Sequence, residues 1–290
     1  MIDFTPLERK NKTYAGANGS KISVMYNAEQ YMLKFPPSAK KNTELSYINS
    51  CISEYIGSHI FNMLGIPAQE TLLGTYKVRG KEKVVVACKD FTSVGIVLQD
   101  FASLKNQMID SERNGYGTEL EDVLYTIDNQ TAINRNELLE HFWNLFIIDA
   151  FIGNFDRHNG NWGFLYNTQT DEMTIAPVYD CGSCLYPQAS EDVMKRVLEN
   201  KAEIDSRVFV FPTSVIQLNG KKINYFDFIS SLQNEDCNLA LKRILSRIDM
   251  DKISQMINDI PCISEIQKKF YVTILKHRKE RILDYSLGLL

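Results

Sequence analysis

Positive charge is not in excess in this chain: 32 Lys and Arg stand against 36 Asp and Glu, for a net charge of −4. Proteins that hold nucleic acid by its phosphates are usually basic, so DNA or RNA is disfavoured as a direct partner. Long apolar runs are missing as well. The longest, Trp143–Ile152, is broken by Asn144 and Asp149, and a membrane span takes about 20 apolar residues. The N-terminal Met-Ile-Asp-Phe-Thr-Pro-Leu-Glu-Arg-Lys has no apolar core after a basic start. No secretory signal is expected, and composition places the chain in the cytoplasm, with export by a route lacking such a signal left open. Cysteine is scattered: Cys51, Cys88, Cys181, Cys184, Cys237 and Cys262 read as reduced thiols rather than a disulfide framework. Cys181-Gly-Ser-Cys184 is a C-x-x-C, but it follows Asp180 and precedes a loop-like Leu-Tyr-Pro instead of opening a helix, which argues against thioredoxin-like chemistry. No second Cys or His pair stands at zinc-ligand spacing. Internal repeats and low-complexity tracts are absent.

What is present is a chain of 290 residues, 44% hydrophobic, enough for one large domain or two lobes. Ile22–Tyr26 and Tyr31–Phe35 flank Asn27-Ala28 as a hairpin ended by Pro36-Pro37. Apolar positions at three- and four-residue spacing predict a helix over 44–64. Leu72–Val78 and Lys83–Cys88 form a second strand pair around Arg79-Gly80. Residues 105–122 read as a polar surface loop. Glu137–Ile152 is an apolar helix ending at Gly153. Short strands at 162–166 and 173–178 follow, and the remainder is mostly helical, interrupted at Pro212 and Pro261. The basic residues between Ile263 and Leu287 read as a solvated helix face. Strands with one helix, then helices, predict an α+β chain with a β-rich N-lobe (1–90) and a larger helical C-lobe (91–290), crossing at Lys89-Asp90-Phe91.

The segment Gly-Asn-Phe-Asp-Arg-His-Asn-Gly-Asn (153–161), with Asp180 nineteen residues beyond Asn161, carries the strongest chemical signal. Phosphoryl transfer from ATP needs a carboxylate to take the acceptor proton, and an Asn and a second Asp to hold magnesium on the phosphates. Asp156, Asn161 and Asp180 suit those roles. His158 is a candidate base by its pKa range and a candidate brace for the loop. Upstream, Gly16 and Gly19 allow backbone amides close to phosphate, and Ser20 and Lys21 add donors; an ordinary hairpin turn explains the same residues. Lys34 lies on the Met32 side of its strand, facing a lobe interior or cleft, where a buried ammonium needs an anion. ATP phosphates and Glu54 would supply it, with Glu44 as the second choice. Alternatively, Lys34 is an edge-strand lysine with its head in water.

Residues 145–163 and Ala-Pro-Val-Tyr-Asp (176–180) resemble the catalytic segments of the HipA-like serine/threonine kinases, bacterial enzymes with a protein-kinase-like two-lobed fold. Ala15-Gly16-Ala17-Asn18-Gly19-Ser20-Lys21 resembles that family's phosphate loop with one extra residue, and Leu33-Lys34-Phe35-Pro36 its ATP-lysine strand. The similarity spans roughly 13–190. It implies Asp156 as base, Asn161 and Asp180 as magnesium ligands, Lys34 on the phosphates, and Cys88, Lys89, Asp90 and Tyr179 around the nucleotide. Thr13 occupies the place of the family's self-phosphorylated serine. The partners implied are ATP, Mg2+ and a protein with a Ser or Thr acceptor. The chain is shorter than the toxin members, which carry an extra N-terminal subdomain, and its size is similar to that of an exported member. Asp-Arg-His-Asn-Gly-Asn also resembles the catalytic loop of phosphoinositide kinases, in which the second metal Asp follows more closely. A lipid kinase and an inactive kinase-fold scaffold are therefore the alternatives.

Overall fold

The computed structural model describes residues 1–14, 20–36, 47–109 and 114–290. The proposed phosphate-loop residues Ala15, Gly16, Ala17, Asn18 and Gly19, and the alternative carboxylate Glu44, lie outside that set. The chain begins with β1 (Ile2–Asp3), β2 (Arg9–Lys10), β3 (Lys21–Tyr26), β4 (Glu29–Lys34), α1 (Ser50–Met63), β5 (Thr71–Val78) and β6 (Lys81–Lys89). The six strands make one sheet in the order β1-β5-β6-β4-β3-β2, antiparallel except for β1 on β5. Both hairpins form where the turn residues predict. Asn27 and Ala28 carry positive φ of 49° and 63°, the primed geometry that matches strand twist.

Side-chain alternation divides the sheet. One face buries Phe4, Val24, Tyr31, Leu33, Phe35, Tyr76, Val85 and Ala87. The other sets Val86 and Cys88 with Met32 against Cys51 and Tyr55 of α1. Lys34 shares the Met32 face, so its charge enters the space under α1. α1 starts at Ser50, because Tyr47–Asn49 form a turn ahead of it.

Beyond β6 come β7 (Ile96–Asp100), α2 (Phe101–Met108), α3 (Leu120–Asn129), α4 (Arg135–Ile152), β8 (Gly163–Asn167), β9 (Glu172–Ile175), α5 (Glu191–Glu199), α6 (Lys201–Phe209), α7 (Tyr225–Ser231), α8 (Glu235–Leu245), α9 (Met250–Asn258) and α10 (Glu265–Arg278). β7, β8 and β9 form a small antiparallel sheet. α4 is buried on all sides from Phe142 to Ile152, the behaviour of a helix that is apolar all round. Asn134 caps its start, and Gly153 ends it in a left-handed conformation (φ 63°), where a Cβ would be strained.

Two sequence expectations are corrected. The loop expected at 105–122 is partly helical. Asp100 accepts from the Ser103 N–H at 2.8 Å and starts α2, and Lys105 is fully buried, donating to the Gly117 carbonyl at 2.8 Å and to Asp122 at 3.0 Å. Nor is the basic C-terminal run simply a solvated face. Arg278 is fully buried and donates to the Ala150 carbonyl and the Arg207 carbonyl, both at 2.7 Å, pinning α10 to α4 and α6. Lys268, Lys279 and Arg281 pair with Glu265, Asp284 and Asp205.

Candidate active site

Lys34 Nζ lies 2.9 Å from Glu54 Oε2 and 2.9 Å from Asp180 Oδ1. β4 delivers the lysine, α1 the glutamate and the segment after β9 the aspartate, so three distant parts of the sequence meet on one ammonium. Burial pulls that ammonium down, but Asp180 and Glu54 outweigh it and hold Lys34 well above its ordinary pKa. Lys34 in turn holds the Asp180 carboxyl down to about 2. Lys21 sits opposite Lys34 across the β3–β4 ladder. Burial first, and Lys34 second, lower its ammonium, while Asp180 and Glu54 oppose them. A compact field of alternating charge results, open at Asp180, whose side chain keeps 45% exposure.

Asp156 and Asn161 lie on the loop that leaves α4 at Gly153. The loop is rigid for local reasons. Asn161 Nδ2 donates to the Asp156 carbonyl at 2.7 Å. The Asp156 N–H donates to Asn154 Oδ1 at 3.1 Å. The Tyr225 hydroxyl donates to the Asn154 carbonyl at 2.7 Å, and Asn159, fully buried, donates to the carbonyls of Gly115 and Gly117. His158 Nδ1 accepts from the Gly160 N–H at 3.0 Å, so this nitrogen braces the turn and is not held out as a base. Burial raises the Asp156 carboxyl, and Asp180 adds to the rise against the opposing His158. The Ser183 hydroxyl donates to Asp156 Oδ2 at 3.5 Å, which ties the loop to the Asp180 segment.

Asp180 itself takes a left-handed backbone (φ 58°), as do Leu185 and Tyr186. Such conformations cost a residue with a Cβ on the order of 1 kcal/mol or more and persist where neighbours over-determine them. Gly182 has a steric reason to be glycine: a Cβ there would lie 3.1 Å from Glu54 Oε2.

Around the crossing point, much of the chain's hydrogen bonding is already committed. Cys88 is fully buried beside Cys51 and Val86. The Lys89 N–H donates to the Glu70 carbonyl, and the Lys89 carbonyl accepts from Gln69. The Lys89 ammonium pairs with Glu29 at 2.5 Å. The Asp90 N–H donates to the Gln30 carbonyl at 2.8 Å, and its carboxylate meets Lys12 at 2.6 Å and the Tyr14 hydroxyl at 2.8 Å. The Asp90 carbonyl and the Phe91 N–H follow as the next main-chain groups. Phe91 and Tyr179 face each other at 6.0 Å between ring centroids, and the Tyr179 hydroxyl donates to the Gly160 carbonyl.

Sequence reasoning missed the residue that joins these parts. Arg157 is buried at 6% exposure and donates from Nε to Asp149 Oδ2 at 3.0 Å, and from Nη1 to the Asn161 carbonyl at 2.9 Å and the Tyr179 carbonyl at 2.5 Å. Its signal was Asp149, the charge that interrupts the apolar α4: a carboxylate so placed requires a cationic partner. The C-x-x-C thiols do not behave as a redox pair. Cys181 and Cys184 are free and buried, and burial pushes the Cys181 thiol up to about 12, whereas reactive thiols are exposed and lowered.

Comparison with known proteins places the chain in a family. The profile of the HipA-like C-terminal domain matches residues 12–256. The chain is 53% identical over 287 residues to serine/threonine-protein kinase CtkA of Helicobacter pylori, covering 98% of this chain and 87% of that protein. The crystal structure of a Helicobacter pylori proinflammatory kinase CtkA superposes with a TM-score of 0.92 at 50% identity, over 99% of this chain and 97% of that one. The HipA of Shewanella oneidensis MR-1, in its complex with HipB and operator DNA, shares the fold at a TM-score of 0.57 and 16% identity, over 96% of this chain and 68% of that one. The chain is a HipA-like kinase-fold protein and belongs to that family.

Proposed function

We propose that the protein is an ATP-dependent serine/threonine protein kinase and that Asp156, Asn161, Asp180 and Lys34 carry its chemistry. The observation that carries the reading is the double contact of Lys34 Nζ, 2.9 Å from Glu54 and 2.9 Å from Asp180, beside a loop that presents Asp156. Lys34 and Lys21 would bind the ATP phosphates. Asp156 would accept the proton of the acceptor hydroxyl as its oxygen attacks the γ-phosphorus. The bond to the β-phosphate oxygen breaks, leaving ADP and a phosphorylated serine or threonine.

The donor set suits magnesium. Asn161 commits Nδ2 inward to the Asp156 carbonyl, so its Oδ1 is the atom offered to a cation, and Asp180 is ionised. Among the described residues no three carboxylate, imidazole or thiol groups converge as a metal cage. Magnesium needs none, since it is usually held by one or two carboxylates with phosphate oxygens and water. When bound, it would neutralise charge developing on the phosphates. Asn161 and Asp180 would hold it.

Transfer of label from γ-labelled ATP to an acceptor protein, and to the chain itself with Thr13 as a site to map, tests the reading. Asp156→Ala should lower transfer by about 10²–10⁴-fold, and Asp180→Ala should abolish it. Wild-type labelling by both variants would refute the assignment. Phosphoinositide vesicles in place of protein test the lipid-kinase reading. No helix among the described residues is long and apolar enough to cross a membrane; recovery from culture supernatant tests export.

A further inference from the structure

Beside Asp156 lies an aromatic shelf that the phosphate chemistry does not use. Phe155 precedes Asp156 in the loop. Its ring lies 6.2 Å from that of Tyr47 and 5.6 Å from that of Phe211. Phe211 is 45% exposed and Val210 63% exposed, two large apolar side chains in sequence at the surface after α6. Exposed apolar residues scattered singly are ordinary; the neighbouring rings of Tyr47, Phe155 and Phe211 beside Asp156, with Val210 next in sequence, make a candidate recognition surface. Among the described residues, the nearby Arg207 is already engaged: it pairs with Glu203 at 2.6 Å and stacks over Tyr186. The described rings of the shelf therefore present apolar surface.

The occupant follows from the reaction. An acceptor hydroxyl must reach Asp156, and the Ser183 hydroxyl, 3.5 Å from Asp156 Oδ2, shows that this oxygen accepts from a neighbouring hydroxyl. An extended chain advances about 3.3–3.6 Å per residue, so a peptide with its hydroxyl at Asp156 crosses the Phe155–Phe211 rings within about three residues. Resting on the protein-kinase reading, we propose that Tyr47, Phe155, Val210 and Phe211 bind an aromatic or branched apolar side chain of the protein substrate within about three residues of the phosphoacceptor.

A positional-scanning peptide library with a fixed central serine tests this, using wild type, Val210→Asp, Phe211→Ala and, as a distant control, Tyr125→Ser. Expected is a wild-type preference on the order of tenfold for Phe, Tyr, Leu or Ile over Ala at one position inside that window. Val210→Asp and Phe211→Ala should flatten it, and Tyr125→Ser should preserve it. The preference is a ratio within each protein, so partial loss of folded enzyme does not mimic the result. Label transfer by wild type with a flat profile overturns the inference and leaves the kinase reading standing. An unchanged profile in both shelf variants also overturns it. A change confined to sedimentation would assign the shelf to a second copy of the chain and overturn it too. No transfer to any peptide or protein overturns the kinase reading beneath it.

Discussion

Glu54 accepts a hydrogen bond from the Cys181 N–H at 3.1 Å through Oε1 while its Oε2 holds Lys34 at 2.9 Å. One buried carboxylate on α1 therefore sets both the lysine of the sheet and the backbone that follows Asp180. Glu54→Gln keeps the shape and an acceptor but removes the charge. Hydrogen bonds to charged groups contribute about 1.5–3 kcal/mol, so kcat/KM for ATP should fall roughly 10- to 100-fold. Steady-state kinetics with the proposed phosphotransfer assay measures it, and unchanged kinetics would remove Glu54 from the positioning role.

Asp156 sets the acid limb of the proposed reaction. Burial, with Asp180 adding, raises its carboxyl above the ordinary aspartate value, and a base works only when deprotonated. The acid limb of kcat/KM should therefore lie at higher pH than a solvent-exposed aspartate would give. The stability sign is opposite to that of a salt-bridged carboxylate. Between its unfolded and its raised folded pKa, the native state binds more protons than the unfolded one, so stability falls as pH rises through that window. Asp156→Asn should lower transfer by about 10²–10⁴-fold and raise Tm at neutral pH. A pH–rate profile and thermal melts of the two proteins check both parts.

Legibility followed local physics. Primed turns between alternating apolar residues marked both hairpins, and the i, i+4 pattern placed Glu54 on the helix that meets Lys34. Lys34 was readable because a lysine between Leu33 and Phe35 on a strand needs an anion. Arg157 was not, because a polar loop looks solvated in sequence and the residues that bury it come from Asp149 and Tyr179. Lys105 and Arg278 are also fully buried cations: Arg278 donates to main-chain carbonyls, which no side-chain pattern announces, and Lys105 to the Gly117 carbonyl and to Asp122.

Arg157 and Asp149 form a buried pair, at 6% and 1% exposure, and the arginine also holds the Asn161 and Tyr179 carbonyls. Removing one partner leaves an unpaired buried charge, which costs about 3–5 kcal/mol. Arg157→Met alone should destabilise by that amount, and Asp149→Leu alone similarly. The double variant should cost less than the sum, because apolar residues replace the pair as a unit. It should still lose phosphotransfer, since the carbonyls of Asn161 and Tyr179 are no longer tied together. Denaturant melts and label transfer on the three variants separate the two contributions.

The closeness of α1 to the Asp180 segment depends on Gly57. A Cβ there would sit 2.7 Å from Cys181 Cβ and 3.1 Å from Cys184 Sγ. In an open helix interior, Gly→Ala gains about 1 kcal/mol from propensity. Here the new methyl meets a packed backbone-borne carbon, and overpacking costs about 1–3 kcal/mol. The second effect exceeds the first, because the neighbour is Cβ and cannot swing away. Gly57→Ala should destabilise by about 1–2 kcal/mol and push α1 outward, carrying Glu54 from Lys34 and the Cys181 N–H. Its activity loss should then resemble that of Glu54→Gln, with KM for ATP rising. Gly80→Ala, at a turn with nothing within 4 Å of a Cβ, is the control: strained by its φ of 78°, it should lose stability with KM for ATP unchanged. A Gly57→Ala protein that gains stability and keeps its KM would show that α1 has room to move without moving the site.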